Sequence, residues 1–488
     1  MKRRVLILVA AIVVIGQRWP GITRRLPVRG RIAEYRHFLL RFVIMNMVLP
    51  LNFLSVGRAQ GLPPAQTILP LSLKRAVEIA LAPEGSTRVA LAQESIKQAE
   101  SRRAQSRGQL LPDLESSVSD QRQTTNLKAF GFNLQIPIPG FSFPTIVGPF
   151  SVFDAHATAS QTVFNFSSIR LYQASKVNVT AARSEFDSTA NQVSDQVARA
   201  YLLALRAEAA LETAHANVDL SIALLKLSQQ QKDAGTGTGI EVTRAEVQLA
   251  NDRQRLVVAG NDRRRAGLNL LRAMGLKLDT SVELTDKLSY RPVELGSMDD
   301  ALAAARNSRA DLRAQKQHEQ SAQLNYGSVK AERLPSVAAS ANYGSIGSDW
   351  AGVQPTYAYG VSVRVPIFDG GRRDARRTES LSQYRQEQTR TRDIQEQVEL
   401  DVRLAFDSVR SAADEVQTAR EGLQLAEQEL AQAQRRYQAG VTNSIEVTDA
   451  QTRLDRARDN QIAALYDYNV ARIDLATATA KIQEYVNQ

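Results

Sequence analysis

Two segments of the chain, DAGTGTGIEVTRAE (residues 233–246) and QAGVTNSIEVTDAQ (residues 438–451), are versions of one motif. Each contains Ala-Gly, separated by four residues from Ile-Glu-Val, and the two versions lie 438 − 233 = 205 residues apart. A glycine in this position is suited to the left-handed backbone that ends a helix. The motif therefore predicts a tight turn between two helices, and its recurrence predicts two copies of one helical hairpin.

The residues before each turn repeat with a spacing of seven. Before the second turn, both seam positions are apolar or small throughout: Val402, Val409, Val416, Leu423, Leu430 and Tyr437, with Ala405, Ala412, Ala419, Ala426 and Ala433 between them. Subtracting 205 gives a weaker version of the same pattern before the first turn. This spacing predicts helices wound around neighbouring helices. The alternative is an ordinary amphipathic helix on a globular core, but little else in these stretches could form such a core.

The lengths of the predicted helices follow from the positions of proline and glycine. Residues 167–233 and 371–438 contain no proline, and each would form a continuous helix of about 100 Å at 1.5 Å per residue. Returning helices are predicted over 240–275 and 445–484. A shorter helix opens each half, over 72–109 and 297–333, and the second of these begins with Ser297 and Asp300 at the spacing of a capping pair.

Strands are predicted between the short and the long helix of each half. Over 356–368 the odd-numbered residues are apolar and the even-numbered residues are mostly small or polar, which is typical of a strand with one apolar face. Weaker versions of this alternation predict strands over 112–121, 151–163 and 335–343. A loop rich in proline, with Pro137, Pro139, Pro144 and Pro149, joins the first two strands.

The net charge of +10 is confined to the amino-terminal segment. Residues 1–59 carry eleven Lys/Arg and one acidic residue, whereas the other 429 residues carry 50 of each charge. The body of the chain therefore lacks the basic excess that nucleic-acid binding requires. The apolar runs at 5–15 and 42–54 are shorter than the ~20 residues of a spanning helix, and Gly57-Arg58-Ala59 has small-x-small spacing. We expect a signal segment over 1–59, cleaved after Ala59.

Residue types that support catalysis or cofactor binding are sparse. The chain has no cysteine, so no disulfide is expected, and after residue 59 its histidines, His156, His215 and His318, lack metal-ligand spacing. The sequence GTGTG at 235–239 follows a helix rather than a strand, which argues against a phosphate-binding loop. We expect no enzyme activity, no resident metal and no cofactor.

The four predicted strands could form a small soluble sheet or part of a membrane barrel. Export through a signal and the aromatic residues at one end of the second strand pair (Tyr343, Trp350, Tyr357 and Tyr359) favour a barrel, whose interfaces are rich in aromatics. Four strands cannot close in a bilayer, because open edges leave backbone groups unpaired in lipid. A barrel would therefore have to be shared between copies of the chain.

From about residue 72 to 480 the sequence resembles the TolC family of outer membrane efflux proteins. The resemblance rests on the twofold repeat, the helix-to-strand junctions LPDL and LPSV, the strand-to-helix junctions VFN and IFDGG, and the AG-x(4)-IEV turns. It implies a mainly α protein with a small β part: a homotrimer whose shared 12-stranded transmembrane β-barrel continues into a long periplasmic coiled-coil barrel. The implied organisation is a first repeat over 60–280, a linker over 281–296 and a second repeat over 297–488.

The resemblance also implies functional residues at the periplasmic tip. The entrance acids would be Glu446 and Asp449, the gate contact would be a hydrogen bond between Tyr437 and Glu241, and the adaptor would dock at the turns of Gly235 and Gly440. Better-known members carry an arginine where this chain has Thr442, which puts a charged latch in doubt. A simpler interpretation is that Glu446 and Asp449 only favour a helix amino-terminus.

The function that these features imply is passive export through the outer membrane. The channel would receive substrates from the periplasm or an inner-membrane pump, would open when a periplasmic adaptor docks at its tip, and would contact outer membrane lipid but no nucleic acid. The alternative is a structural periplasmic coiled-coil scaffold without channel activity, in which the strand pairs only pack against soluble protein.

Overall fold

The computed structural model describes residues 69–83, 85–131 and 145–487 and is mainly helical. The expected signal segment, its cleavage site after Ala59 and most of the proline-rich loop lie outside the described residues. None of the helices within the described ranges combines the length and the apolar character needed to cross a membrane.

Two long helices and their returning partners form the body of the chain. Helix α3 spans Phe166–Asp233 and helix α7 spans Arg372–Gln438, with 68 and 67 residues. Each packs along the helix that follows it: α4 (Gly239–Met274) on α3, and α8 (Ser444–Ala478) on α7. At 1.5 Å per residue, α3 and α7 are each about 100 Å long.

The short helices are more broken than the sequence suggests. The helix predicted over 72–109 is two helices, α1 (Leu73–Leu81) and α2 (Thr87–Gly108), since Pro83 and Gly85 interrupt it. The helix predicted over 297–333 is also two, α5 (Met298–Ser308) and α6 (Ala310–Ala331). They are separated by the extended backbone of Arg309, whose guanidinium binds Asp311 and Asp401 at 2.6 and 2.7 Å.

The predicted returning helix 445–484 is likewise interrupted. Helix α8 ends at Ala478, Ala480 takes a left-handed conformation with φ of 61°, and a separate short helix, α9, spans Ile482–Val486. A further pair of strands was missed, since β1 (Leu69–Leu71) pairs in parallel with β4 (Val282–Leu284). Strand β4 lies inside the segment expected to be a linker. Three residues per strand are too few for the alternation of apolar and polar residues to be recognised.

The four predicted strands form one antiparallel sheet in the order β2–β3–β5–β6. Three of them are longer than predicted: β2 (Asp113–Asn126), β3 (Ile146–Phe164) and β5 (Ser336–Gly347). Strand β6 (Gln354–Arg364) ends earlier than predicted. Pro366 follows two residues later and has no N–H to donate to a neighbouring strand.

The register of the sheet places its apolar residues on one face. Val337, Ala339, Ala341 and Tyr343 of β5 lie opposite Val363, Val361, Tyr359 and Tyr357 of β6. The same face continues on β3 through Ala155, Ala157 and Ala159, which lie opposite Val118, Ser116 and Leu114 of β2. None of the described residues covers this face on β6, where Val361 is 71% exposed and Tyr359 82%.

Most seam residues of α7 are buried, as the seven-residue spacing predicts. Val402, Val409 and Val416 of α7 are at most 4% exposed, and the alanines between them are also buried. A separate core lies where β1, α1, β4 and α9 pack against the middle of α3, around fully buried Tyr201 and Met274. These short elements form a belt around the long helices, between the sheet and the two turns.

Candidate functional site

The two repeated turns have nearly the same backbone geometry. Gly235 follows α3 with φ of 77°, and Gly440 follows α7 with φ of 70°. In both turns the amide after the glycine closes the end of the helix: Thr236 N–H donates to Gln231 O at 2.9 Å, and Val441 N–H donates to Arg436 O at 3.0 Å. A Cβ added to either glycine would meet no atom within 4 Å. Backbone conformation, rather than space, therefore requires glycine at both positions.

Glu446 lies in the first turn of α8, where a carboxylate favours the positive end of the helix. Its carboxylate accepts a hydrogen bond from the Thr442 hydroxyl and lies 3.5 Å from Arg436 Nη1 at the end of α7. Thr442 therefore supplies a neutral hydrogen bond to this acid. The ion pair with Arg436 holds Glu446 against α7, within the second hairpin.

Asp449 lies on the next turn of α8 and is also paired within the hairpin. Its carboxylate is 2.6 Å from Arg453 Nη2, and the same guanidinium binds Glu429 of α7. The side chains of Glu446 and Asp449 are 38% and 58% exposed. Sequence reasoning missed both arginines, although Arg453 stands four residues after Asp449, which is the spacing of a helical ion pair.

Tyr437 and Glu241 are not hydrogen-bonded to each other in the single chain. The Tyr437 hydroxyl, on a side chain that is 4% exposed, lies 3.3 Å from Ser228 Oγ of α3. The Glu241 carboxylate instead accepts a hydrogen bond from the Thr238 N–H at 3.0 Å, at the start of its own helix. Tyr437 still joins the two hairpins, since Gln231 of α3 donates to its backbone oxygen at 3.3 Å.

A buried polar cluster lies further along α8 from the turn than the two acids, and it joins α8 to the first hairpin. Asp252 of α4 and Gln451 of α8 are 1% and 0% exposed. Gln451 Nε2 donates to Ser221 Oγ of α3 at 3.0 Å, and the Ser221 hydroxyl is hydrogen-bonded to Asp252. Arg255 of α4 lies 2.9 Å from Asp455 of α8 and 3.6 Å from Asp252. One arginine therefore neutralises two carboxylates that belong to different hairpins.

Within this cluster, the surroundings of Asp455 disfavour its charged form. Burial raises the pKa of the Asp455 carboxyl, and the negative charge of Asp252 raises it further, whereas Arg255 lowers it by less. Among the described residues, no group donates a hydrogen bond to Asp455 Oδ1. The ionised cluster therefore depends strongly on Arg255, because an unpaired buried charge is costly.

Sequence reasoning also missed this cluster. Its members are not related by the 205-residue shift, so the comparison of the two halves does not show them. A signal was nevertheless present, because Asp252 interrupts an apolar stripe formed by Ala245, Leu249 and Leu256 at helical spacing. A charged residue in such a stripe indicates a partner on a neighbouring helix.

Within the ranges that the structure describes, no three or more His, Cys, Asp and Glu side chains come together in a way that could hold a metal ion. The tip instead offers charged and hydrogen-bonding groups along the ends of packed helices. Such an arrangement can hold helices together and influence ions that pass nearby.

Comparison with known proteins agrees with this architecture. The chain is 24% identical over 447 residues to the pyoverdine export outer membrane protein OpmQ of Pseudomonas putida, covering 88% of this chain and 89% of OpmQ. The fold is similar to that of the outer membrane protein VceC of Vibrio cholerae (TM-score 0.69, 19% identity, 83% of this chain and 95% of VceC). It is also similar to that of the outer membrane channel CmeC of Campylobacter jejuni (TM-score 0.71, 16% identity, 84% and 85%).

The sequence model of the family described as outer membrane efflux protein matches this chain in two segments, residues 79–276 and 301–481. These segments contain both helical hairpins, both turns and all four strands of the larger sheet. The chain belongs to the outer membrane efflux protein family.

Proposed function

We propose that this chain is the outer membrane channel of an export system, assembled as a homotrimer. Each copy would contribute its four-stranded sheet to a 12-stranded transmembrane barrel and its long helices to a periplasmic tunnel. The two segments matched by the family model would be structural repeats, joined through residues 281–296. Substrates would move passively outward, in the direction that the name of the relative OpmQ, a pyoverdine export outer membrane protein, suggests.

The observation that carries this proposal is the open sheet. Strands β2 and β6 are its outer strands, and within the described ranges each is paired on one side only. One face of the sheet is apolar and exposed, with Val361 at 71% and Val363 at 62%. An apolar face favours lipid, but lipid cannot satisfy the open edges. Pairing β6 of one copy with β2 of the next would satisfy both requirements. A soluble scaffold would leave the apolar face in water.

The helices support the tunnel part of the proposal. With lengths near 100 Å, α3 and α7 extend far beyond the ~30 Å hydrocarbon core of a bilayer. We infer that their distal ends, with the turns of Gly235 and Gly440, form the periplasmic entrance. Glu446 and Asp449 would lie at that entrance, and the contacts of Tyr437 with α3 would help to keep the second hairpin against the first.

A periplasmic adaptor would open the entrance by docking at the two turns, and an inner-membrane pump would supply the substrate. Both turns are exposed and nearly identical in backbone geometry, which suits a partner that binds equivalent positions around the tip. In the closed state, the buried cluster of Asp252, Arg255 and Asp455 would hold the two hairpins of the chain together.

Purification and electrical recording test the proposal together. We expect a detergent-stabilised trimer that forms small, cation-selective conductances when added to a planar lipid bilayer. A monodisperse monomer that stays soluble without detergent would contradict both the shared barrel and the tunnel. A trimer that inserts into lipid but never conducts would contradict the channel while leaving the shared barrel intact.

A further inference from the structure

A cavity of about 270 Å³ lies in the belt of short elements, far along α3 and α8 from the two turns. It opens between the start of α1, the loop after β4, the middle of α3, the last third of α8 and the end of α9. Four basic side chains and a single carboxylate line it: Lys74, Lys287, Arg291 and Arg472, with Asp286. The lining thus carries a net charge of 4 − 1 = +3.

The single carboxylate is already engaged. Asp286 Oδ2 accepts hydrogen bonds from the Leu73 N–H at 2.9 Å and from the Tyr201 hydroxyl at 2.8 Å. Tyr201 is 1% exposed, so Asp286 is held toward the start of α1. Among the described residues, no carboxylate lies within 4.0 Å of a nitrogen of any of the four basic side chains, in contrast to neighbouring Arg199, which is paired with Asp195 and Asp474.

Arg472 lies at the base of the cavity and is held in place by aromatic rings. Its guanidinium carbon lies 5.1 Å from the ring centre of Tyr485 and 6.0 Å from that of Tyr468. Its Nε is buried and has no hydrogen-bond acceptor within the described part of the chain. Asp474, two residues further along α8, is occupied by Arg199, so the positive charge of Arg472 stays uncompensated on the cavity side.

Acidic groups do lie on the opposite side of Arg472. Glu294, Asp300 and Glu484 line a second cavity there, together with Lys481, but none of the three forms an ion pair with Arg472. They reduce the positive potential around the guanidinium without occupying its donors. The basic cavity therefore differs from the second one both in charge and in the availability of donors.

The cavity also has an apolar wall. Leu202 and Leu205 of α3 and Val486 of α9 line it beside the ring of Tyr485. Burial raises the pKa of the Tyr485 hydroxyl, which therefore stays a neutral donor at physiological pH. The volume is several times the ~30 Å³ share of a water molecule, which leaves room for an organic body beside an anionic group.

We propose that this cavity binds a small organic anion, with its carboxylate or phosphate groups held by Arg472, Lys287 and Arg291 and its carbon skeleton against the leucine wall. Arginine presents a planar fork of donors that matches such groups. The site lies far along α3 and α8 from the two turns. It would make the belt a ligand-responsive part of the channel.

Isothermal titration of the detergent-solubilised full-length protein with citrate tests the proposal, and inorganic phosphate serves as the probe without an organic body. We expect saturable citrate binding and weaker phosphate binding. Lys287→Gln with Arg291→Gln should weaken citrate binding at least about tenfold, since one charge-assisted hydrogen bond is worth that much. Both side chains are exposed, so this variant should fold normally. Arg472→Gln should abolish binding.

The matched control is Arg377→Gln with Arg392→Gln, which removes the same charge from two exposed positions on α7 outside the cavity. We expect its citrate affinity to equal that of the wild type. An equal loss in this control, or the absence of saturable citrate binding, would overturn the site. Phosphate binding as tight as citrate binding would overturn the assignment to an organic anion. Since conduction does not enter these measurements, failure of the site is distinguishable from failure of the proposed channel.

Discussion

Replacing Arg255 with methionine should loosen the proposed periplasmic entrance without preventing assembly. Methionine keeps much of the length of the arginine stem but removes the only cation within ion-pair distance of both Asp252 and Asp455. Two carboxylates on different hairpins would then face each other in a site where both are buried. Their repulsion should push α8, which carries Glu446 and Asp449, away from α3 and α4.

The magnitude follows from the burial of the three groups. Removing one partner of a buried ion pair costs about 3–5 kcal/mol, because it leaves an uncompensated charge. Asp252 and Asp455 have side chains that are 0% and 6% exposed, but the Arg255 side chain is 55% exposed. Solvent therefore already screens part of the interaction, and we expect the lower end, about 3 kcal/mol per chain. This is enough to shift a two-state equilibrium about a hundredfold.

Planar-bilayer conductance is the direct assay, and uptake of a large antibiotic that the outer membrane normally excludes is the cellular one. Arg255→Met should raise both, and adding Asp455→Asn should return both toward wild-type values by removing one buried charge. Arg263→Met is the control, since Arg263 of α4 pairs with Glu208 of α3 inside the first hairpin, in an exposed pair (48% and 47%). Unchanged conductance in Arg255→Met, or a double variant as leaky as the single, would refute the reasoning.

Three further outcomes are expected. Gly440→Val should impair export but leave membrane insertion intact, because a β-branched residue is strained at φ of 70° while its side chain meets only open space. Normal transport in this variant would show that this turn is not the docking site. Ala419→Leu should overpack the partly buried seam and lower trimer stability by about 1–3 kcal/mol per chain, measured by thermal dissociation in detergent. Because the pKa of the Asp455 carboxyl is raised, its protonated form stabilises the folded chain. This contribution to folding stability is fully present below the ordinary aspartate pKa and is lost as pH rises through the raised value. The melting temperature of Asp455→Asn should therefore exceed that of the wild type by more at about pH 7 than at about pH 4; a pH-independent difference would show that Asp455 titrates normally.

Much of this fold was predictable from the sequence because its main signals are periodic. The spacing of seven and the glycines at 235 and 440 predicted α3 and α7 to within a residue or two at each end. The breaks at Arg309 and Ala480 were not predictable, since each depends on local packing rather than on a proline or glycine. Within the site, the repeated motif predicted the turns and the family resemblance implied the acids, but neither could show which arginine each acid would contact. Ion pairs between helices depend on rotation and stagger, which the spacing along one helix does not determine.

The charges at the tip should control two separate properties of the channel. Glu446 and Asp449 are exposed and are paired with arginines of their own hairpin, so neutralising them should cost little stability and should not release α8. As acids at a narrow entrance they would still attract cations, which predicts that Glu446→Gln with Asp449→Asn weakens cation selectivity while resting conductance stays low. Arg255→Met should do the reverse, raising conductance while selectivity persists. The two effects should add when the variants are combined, because the groups share no partner. If the acid variant raised conductance as much as Arg255→Met does, closure would depend on the tip acids and the buried cluster would be only structural. Unchanged selectivity in the acid variant would leave Glu446 and Asp449 as residues that favour the start of a helix.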